Sequence, residues 1–377
     1  MGRKLIAATG LLALVAAGAV PAGLQASPAD LDMETCLFLV GDAGHPDPRG
    51  EPVLEALGRE LARDPERAFV VFLGDNIYPA GMPEPDDPWR GEAQRRIDAQ
   101  IDAVRVAGAR AVFVPGNHDW DRQRGDGWAA VRRQSRYVQE RGGRLVSFLP
   151  PGGCPGPEVV DVGARLRVVA LDTQWWLHEG PKPGPPDSGC ASDTEAAVLA
   201  ALRQALAGAG ERAVVVAAHH PLASGGTHGG HFGWKDHVFP LREWKPWLWL
   251  PLPGIGSIYP LARQGGVAAQ DLSSARYTHM RDALEAVLRG ARPLAWAAGH
   301  EHSLQVMDGN SARHVLVSGA GIYGHTRAPK RLPGSRFASG KAGFMRLDIG
   351  RDGSAHLAVI AVDATGSAAV RYSEPLR

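Results

Sequence analysis

Residues 111–119 read Ala-Val-Phe-Val-Pro-Gly-Asn-His-Asp: an apolar run, a turn, then three side chains able to bind a metal or move a proton. A short apolar run closed by turn residues is the mark of a buried strand. The same pattern stands at four other places. Cys36–Val40 ends in Gly41-Asp42-Ala43-Gly44, and Ala68–Leu73 ends in Gly74-Asp75-Asn76-Ile77-Tyr78. Val214–Ala218 ends in His219-His220-Pro221, and Leu294–Ala298 in Gly299-His300-Glu301-His302. Between these runs, Glu51–Arg63, Gly91–Val106, Trp128–Arg141, Asp193–Ala207 and Tyr277–Leu288 carry apolar residues at helical spacing, with Ser192 or Asp193 placed to cap the fourth. Strands alternating with helices predict βαβ units and a largely parallel sheet. Ligands bind beyond the carboxyl ends of such strands, so the five polar clusters are expected to converge on one rim. Further on, His314–Val317, Gly343–Ile349, Ala355–Val362 and Ala368–Tyr372 read as strands without helices between them, expected as a second sheet packed on the first.

Composition bounds the partners. The 377 residues carry 41 basic and 40 acidic side chains, a balance that excludes a strongly basic nucleic-acid binder. With 44% hydrophobic and 21% charged residues the chain is globular, and 47 Gly with 29 Pro imply many structured loops. Arg3 and Lys4, the apolar run Leu5–Val20 and the small residues around Ala22 and Ala26 read as an export signal over 1–26, either cleaved or kept as an anchor. The expected location is therefore outside the cytoplasm. Export permits disulfides, and Cys154 with Cys190 is the expected pair. Cys36, just before an expected core strand, reads as a buried free thiol.

Carboxylate, amide and imidazole groups spread over five strand-end loops suit two hard or borderline cations. Such a pair clamps phosphoryl oxygens and activates water. The order GD-x-G, GD-x-x-Y, GNHD, H-x-P and GH-x-H resembles the calcineurin-like metallophosphoesterases, over roughly residues 37 to 349. More narrowly it resembles the purple acid phosphatase branch, of the small tartrate-resistant kind. The first loop lacks the His that most relatives place two residues after Asp42, and Tyr78 stands three residues after Asp75. The stretches Gly299–Gln305 and Val317–Gly321 are also similar to that branch.

The resemblance implies an α/β fold, a β-sandwich flanked by helices in four αββα layers, over residues 37–377. It implies that Asp42, Asp75, Tyr78 and His302 hold one metal, ferric iron. Asp75, Asn117, His219 and His300 would hold the other, Fe(II), Zn or Mn, with Asp75 bridging. His219 is preferred to His220 because the family ligand precedes Pro by two positions. His118 would bind phosphate or protonate the leaving group. His228 matches a second active-site His, with His231 as its local competitor. Asp119, Asp172 and Glu301 are expected to support the site, and His45 to face solvent or to stand behind the ligands. The implied activity is hydrolysis of small phosphate monoesters by hydroxide held on the metals. Phosphodiesters, phospholipids, and a silent metal-stabilised binding role are the alternatives.

One segment departs from the small enzymes. Residues 228–271 insert Trp234, Trp244, Trp247 and Trp249, then Leu250–Tyr259, with Lys235, Arg242, Lys245 and Arg263 among them. Two readings remain open: a cap over the substrate pocket, or a membrane-facing patch across 234–259.

Overall fold

The computed structural model describes residues 32–123, 125–243 and 247–377. The expected export segment 1–26, together with Trp244 and Lys245, lies outside the described residues, as does the side chain of Arg242. The strands in chain order are β1 (Met33–Val40), β2 (Ala68–Leu73), β3 (Arg110–Val114), β4 (Val146–Phe148), β5 (Glu158–Val162), β6 (Leu166–Ala170), β7 (Ala213–Ala217), β8 (Ala295–Ala298), β9 (Leu304–Asp308), β10 (His314–Ser318), β11 (Ser335–Ser339), β12 (Gly343–Gly350), β13 (Ala355–Val362) and β14 (Ala368–Leu376). The helices are α1 (Pro52–Leu61), α2 (Arg90–Ala107), α3 (Gly127–Gly142), α4 (Gln174–Leu177), α5 (Glu195–Ala207), α6 (Trp234–Val238), α7 (Ile258–Gln264) and α8 (Ala275–Ala291).

The strands form two seven-stranded sheets. One runs β14-β13-β12-β1-β2-β3-β4, the other β11-β9-β10-β8-β7-β6-β5. In each, a parallel core is extended by antiparallel strands: β1, β2, β3 and β4 run parallel, while β12 pairs antiparallel with β1. This corrects the expected division of the chain. The C-terminal strands β12–β14 do not build a second sheet; they complete the first, register Leu37 opposite Leu347. The second sheet starts in mid-chain with β5–β8, and takes β10 beside β8.

Side-chain alternation explains the layers. Along β1, Leu37 and Leu39 point between the sheets, where they join Leu166, Val168, Leu304 and Leu316 in one buried cluster. Cys36, Phe38 and Val40 point outward, into the cluster that α1–α3 cover on the first sheet and α5 and α8 cover on the second. Both faces of the parallel strands are buried, so their sequences are apolar throughout rather than alternating. The result is the four-layer αββα arrangement. Burial of each large aliphatic side chain contributes about 1.5–3 kcal/mol. The helix limits match the apolar spacing closely, but the cap of α5 is neither Ser192 nor Asp193. Thr194 takes that place, its Oγ1 accepting from Ala197 N at 3.2 Å. Cys154 and Cys190 are bonded across the loops that flank β5, β6 and α4, and Cys36 is free and buried.

The sheets are pinned together at the functional end. Ser318 Oγ donates to Leu39 O at 2.7 Å, and Gly41 N donates to Ser318 O at 2.7 Å. Neighbouring strands β1, β2 and β3 of one sheet and β7 and β8 of the other therefore end on the same rim. Among the described residues, no helix is long and apolar enough to cross a membrane.

Candidate metal centre

Each strand leaves the sheet through a tight polar turn. Asp42, Asp75 and His300 hold φ of 59°, 55° and 68°, the left-handed region that residues other than glycine seldom adopt. Such strain gathers where surrounding structure over-determines a functional geometry. Glycine makes the close approach possible. At Gly74, with φ of 90°, a Cβ would lie 2.5 Å from His219 Nδ1. At Gly116 a Cβ would collide with the backbone and carboxylate of Asp75.

Two groups of donors result. In the first, the Tyr78 hydroxyl donates to Asp42 Oδ1 at 3.1 Å and lies 3.0 Å from His302 Nε2, which is itself 3.4 Å from Asp42 Oδ1. In the second, Asn117 Oδ1 lies 3.0 Å from both His219 Nε2 and His300 Nδ1, and the two imidazole nitrogens are 3.2 Å apart. Asp75 stands between the groups, its Oδ1 3.5 Å from His219 Nε2. Ligand atoms of Asp42, Asp75 and His219 lie within 4.8 Å of one another. All seven expected ligands are thus brought together.

The surroundings fix which atom faces the centre. His219 Nδ1 is 2.8 Å from Leu73 O, so that nitrogen carries the proton and Nε2 is left as a lone pair. His300 Nε2 is 3.2 Å from Gln270 O, which leaves Nδ1 inward. His220 lies beside them, but its nitrogens are taken by Thr173 Oγ1 and Gln270 Oε1, each at 2.7 Å. That occupancy agrees with the preference for His219.

Charge tests whether cations fit. Burial pushes the Asp42 carboxyl up to about 8, with His219 opposing and Asp75 adding to the rise. Burial also works on Asp75, but His219 and His118 hold it down to about 2. A buried carboxyl raised as far as that of Asp42 is one that a cation beside it would ionise. Burial lowers the His302 imidazole to about 4 and holds that of His300 well below its ordinary range; neutral imidazole is the ligating form. Burial raises the Tyr78 hydroxyl well above its ordinary range, so a strongly acidifying metal is what would ionise it. Seven oxygen and nitrogen donors without a thiolate fit hard or borderline ions.

His118 follows Asn117 in the chain. Its backbone N–H donates to Asp75 Oδ1 at 2.8 Å, and its Nδ1 lies 2.6 Å from Pro79 O, leaving Nε2 toward the cavity. That cavity, of about 500 Å³, also meets Asp75, Asn117, His228 and Arg263. The His228 ring lies 4.0 Å from that of His300. His231 instead lines the adjoining cavity beside Trp234. Asp119 organises two loops: it is fully buried and accepts from Asn76 N, Ile77 N and Gly116 N at 3.0, 3.1 and 2.8 Å. Asp172 accepts from Trp120 Nε1 at 2.8 Å, and Glu301 from Gly229 N at 3.0 Å. His45 is exposed.

Three contributors were not anticipated. Asp271, fully buried, accepts from Arg263 Nε at 2.7 Å and lies 3.4 Å from His228 Nδ1. Arg263 Nη2 is also 3.0 Å from that nitrogen, so the inserted segment holds the His228 ring. His325 packs 4.5 Å from the His302 ring and 5.7 Å from Tyr78. Its signal was faint: four residues past Gly321, it belongs to another strand-end cluster.

Comparison with known proteins bears on the fold and the family. Among solved structures, the chain shares its fold with GAP50, the anchor in the inner membrane complex of Plasmodium, at 15% identity and a TM-score of 0.54, over 92% of this chain and 89% of that one. A purple acid phosphatase, PPD1 from yellow lupin (Lupinus luteus) seeds, matches at 15% identity and a TM-score of 0.49. The match covers 90% of this chain and 53% of the lupin chain, so this chain spans about half its length. No curated protein gives a significant match. Residues 37–304, most of the chain, match the calcineurin-like phosphoesterase family. The chain belongs to the calcineurin-like phosphoesterase family.

Proposed function

We propose that this chain is an exported phosphatase of the purple acid phosphatase kind, hydrolysing small phosphate monoesters with two metal ions. One observation supports the narrower reading: the Tyr78 hydroxyl sits 3.1 Å from Asp42 Oδ1 and 3.0 Å from His302 Nε2, between two of the expected ligands. Asp42, Asp75, Tyr78 and His302 would hold ferric iron, and Asp75, Asn117, His219 and His300 a divalent Fe, Zn or Mn. Two cations bound there would supply the Lewis acidity that binds phosphoryl oxygens and acidifies water.

The chain's own groups do the rest. His118 is held at Nδ1 by Pro79 O, so Nε2 is available to the phosphate or to the leaving-group oxygen. His228 is aimed by Asp271 and Arg263 from the far side of the same cavity. Net charge of +1 gives little general pull on phosphate, so attraction falls to the centre itself. The Cys154–Cys190 bond supports an oxidising compartment, in keeping with the export signal read over 1–26.

Metal analysis with a visible spectrum tests the reading. Iron and a tyrosinate-to-iron band, lost in Tyr78→Phe, are expected. Two colourless divalent ions with no effect of Tyr78→Phe would remove the purple phosphatase assignment and leave the family intact. Parallel assays on p-nitrophenyl phosphate and bis-p-nitrophenyl phosphate separate monoester from diester preference. A fully metallated protein inactive on both would turn the proposal toward a binding role.

A further inference from the structure

Among the described residues, thirteen large apolar side chains are exposed, and nine of them lie within residues 234–267. Singly exposed apolar residues are ordinary; a cluster of this density is not. Trp247 is 72% exposed, Ile255 69% and Val267 78%, with Trp234, Leu250 and Ile258 beside them in sequence. The segment is nonetheless ordered on itself. Leu252 N donates to Val238 O at 2.8 Å, Gly256 N to Leu252 O at 2.6 Å, and the Phe239 and Trp249 rings pack 5.2 Å apart. Yet α6 buries none of its residues. The apolar groups are therefore held outward rather than folded into a small core, and burying them against something would be favourable by about 25 cal/mol per Å².

The mixture of residues points to what covers them. Lys235 Nζ lies 5.8 Å from the Trp234 ring centroid and 5.9 Å from that of Trp249. Arg263 lies 5.6 Å over Tyr259. Lysine is depleted from the cores of protein interfaces, whereas aromatic rings interleaved with Lys and Arg characterise the headgroup level of a bilayer. A cavity of about 410 Å³ beside Trp234 is lined by Lys235 and Arg327 against one carboxylate, Asp236, which complements anionic headgroups. That cavity shares Gly226, Thr227 and Arg327 with the cavity of about 440 Å³ that meets His228, His300 and His302.

We propose that residues 234–243 and 247–267 form a membrane-docking surface that seats the mouth of the metal centre on an anionic bilayer. The docking is independent of which phosphoester is cleaved. It favours phosphate groups carried at the bilayer surface, because the apolar face and the catalytic cavity adjoin.

The test uses the full chain, because Leu5–Val20 is itself apolar. The wild type is compared with a combined Trp247→Ser, Leu250→Ser, Ile255→Ser and Ile258→Ser variant, on phosphatidylcholine vesicles with and without phosphatidylserine. At least about tenfold weaker binding is expected in the variant, with wild-type binding enhanced by phosphatidylserine and weakened by salt. Circular dichroism and the thermal midpoint check that the variant is folded. If the combined variant does not fold, quenching of wild-type tryptophan fluorescence by brominated lipid, reduced in Trp247→Phe, reads the same contact. Equal vesicle binding by both proteins assigns the affinity to the N-terminal segment and overturns the proposal. So does a lack of binding by either protein, or a variant whose only change is loss of self-association in sedimentation velocity.

Discussion

Asp42 and Trp247 break the ordinary rule of burial in opposite directions: one is a carboxylate 4% exposed, the other an indole 72% exposed. The rim buries charge that it cannot neutralise alone. The adjoining insertion exposes apolar surface that it does not fold away. Buried polar groups and exposed apolar clusters are the informative departures in a folded chain, and each implies a missing partner of complementary chemistry. At the rim the donor set suits cations; at the insertion the proposed partner is a bilayer. The two regions touch through Arg263 and Asp271, which lie in the insertion and hold His228 in the catalytic cavity.

The largest expected effect separates the regions. Asp75→Asn removes the carboxylate proposed to bridge the two ions, and kcat/KM on p-nitrophenyl phosphate should fall about a thousandfold, since several kcal/mol of charge stabilisation is at stake. Vesicle binding should not change; a parallel loss would show that the regions do not act separately. Next is Asp119→Ala. It strips acceptors from the buried N–H groups of Asn76, Ile77 and Gly116, and denaturant unfolding should show about 3 kcal/mol of lost stability. A smaller loss would mean that the rim loops are held by the metals rather than by this carboxylate.

Asp271→Asn tests the link between the regions. Burial raises the Asp271 carboxyl, but hydrogen bonds from His228 and Arg263 win and hold it below its ordinary range. A depressed carboxylate contributes stability above its unfolded pKa, lost as pH falls through the folded value. Wild-type stability should therefore drop below about pH 4 more steeply than that of Asp271→Asn. About a tenfold loss in kcat, with an altered pH–rate profile, is expected at neutral pH, because His228 is freed to turn. An unchanged profile would make the Asp271 contact merely structural. The smallest effect closes the series. The four-residue insertion variant should alter kcat/KM on soluble ester by less than about twofold, since those side chains do not line the catalytic cavity. A large loss would recast the insertion as a substrate cap.

The rim was readable because its chemistry is local. Each ligand stands one to five residues beyond an apolar run, so the turn that places Asn117 or His300 is written beside it. His325 stands eight residues past its run, His314–Val317, beyond that short reach, and the hold of Asp271 on His228 spans 43 residues. The C-terminal strands were recognised as strands but assigned to the wrong sheet, because β12 pairs with β1 across the whole chain. Thr194 displaced Ser192 and Asp193 as cap by one or two residues, a shift that propensity cannot resolve.

The sequence by itself determined the five strands that end at the rim, the five long helices, the order of the five clusters and their donor types, since each depends on neighbours within a few residues. Only the tertiary structure decided how the strands divide between two sheets, which His nitrogen faces the centre, and that the insertion turns its apolar side chains outward. Those outcomes depend on contacts between residues far apart in the chain, where packing and hydrogen-bond satisfaction, rather than local preference, choose among arrangements that the sequence pattern leaves equal.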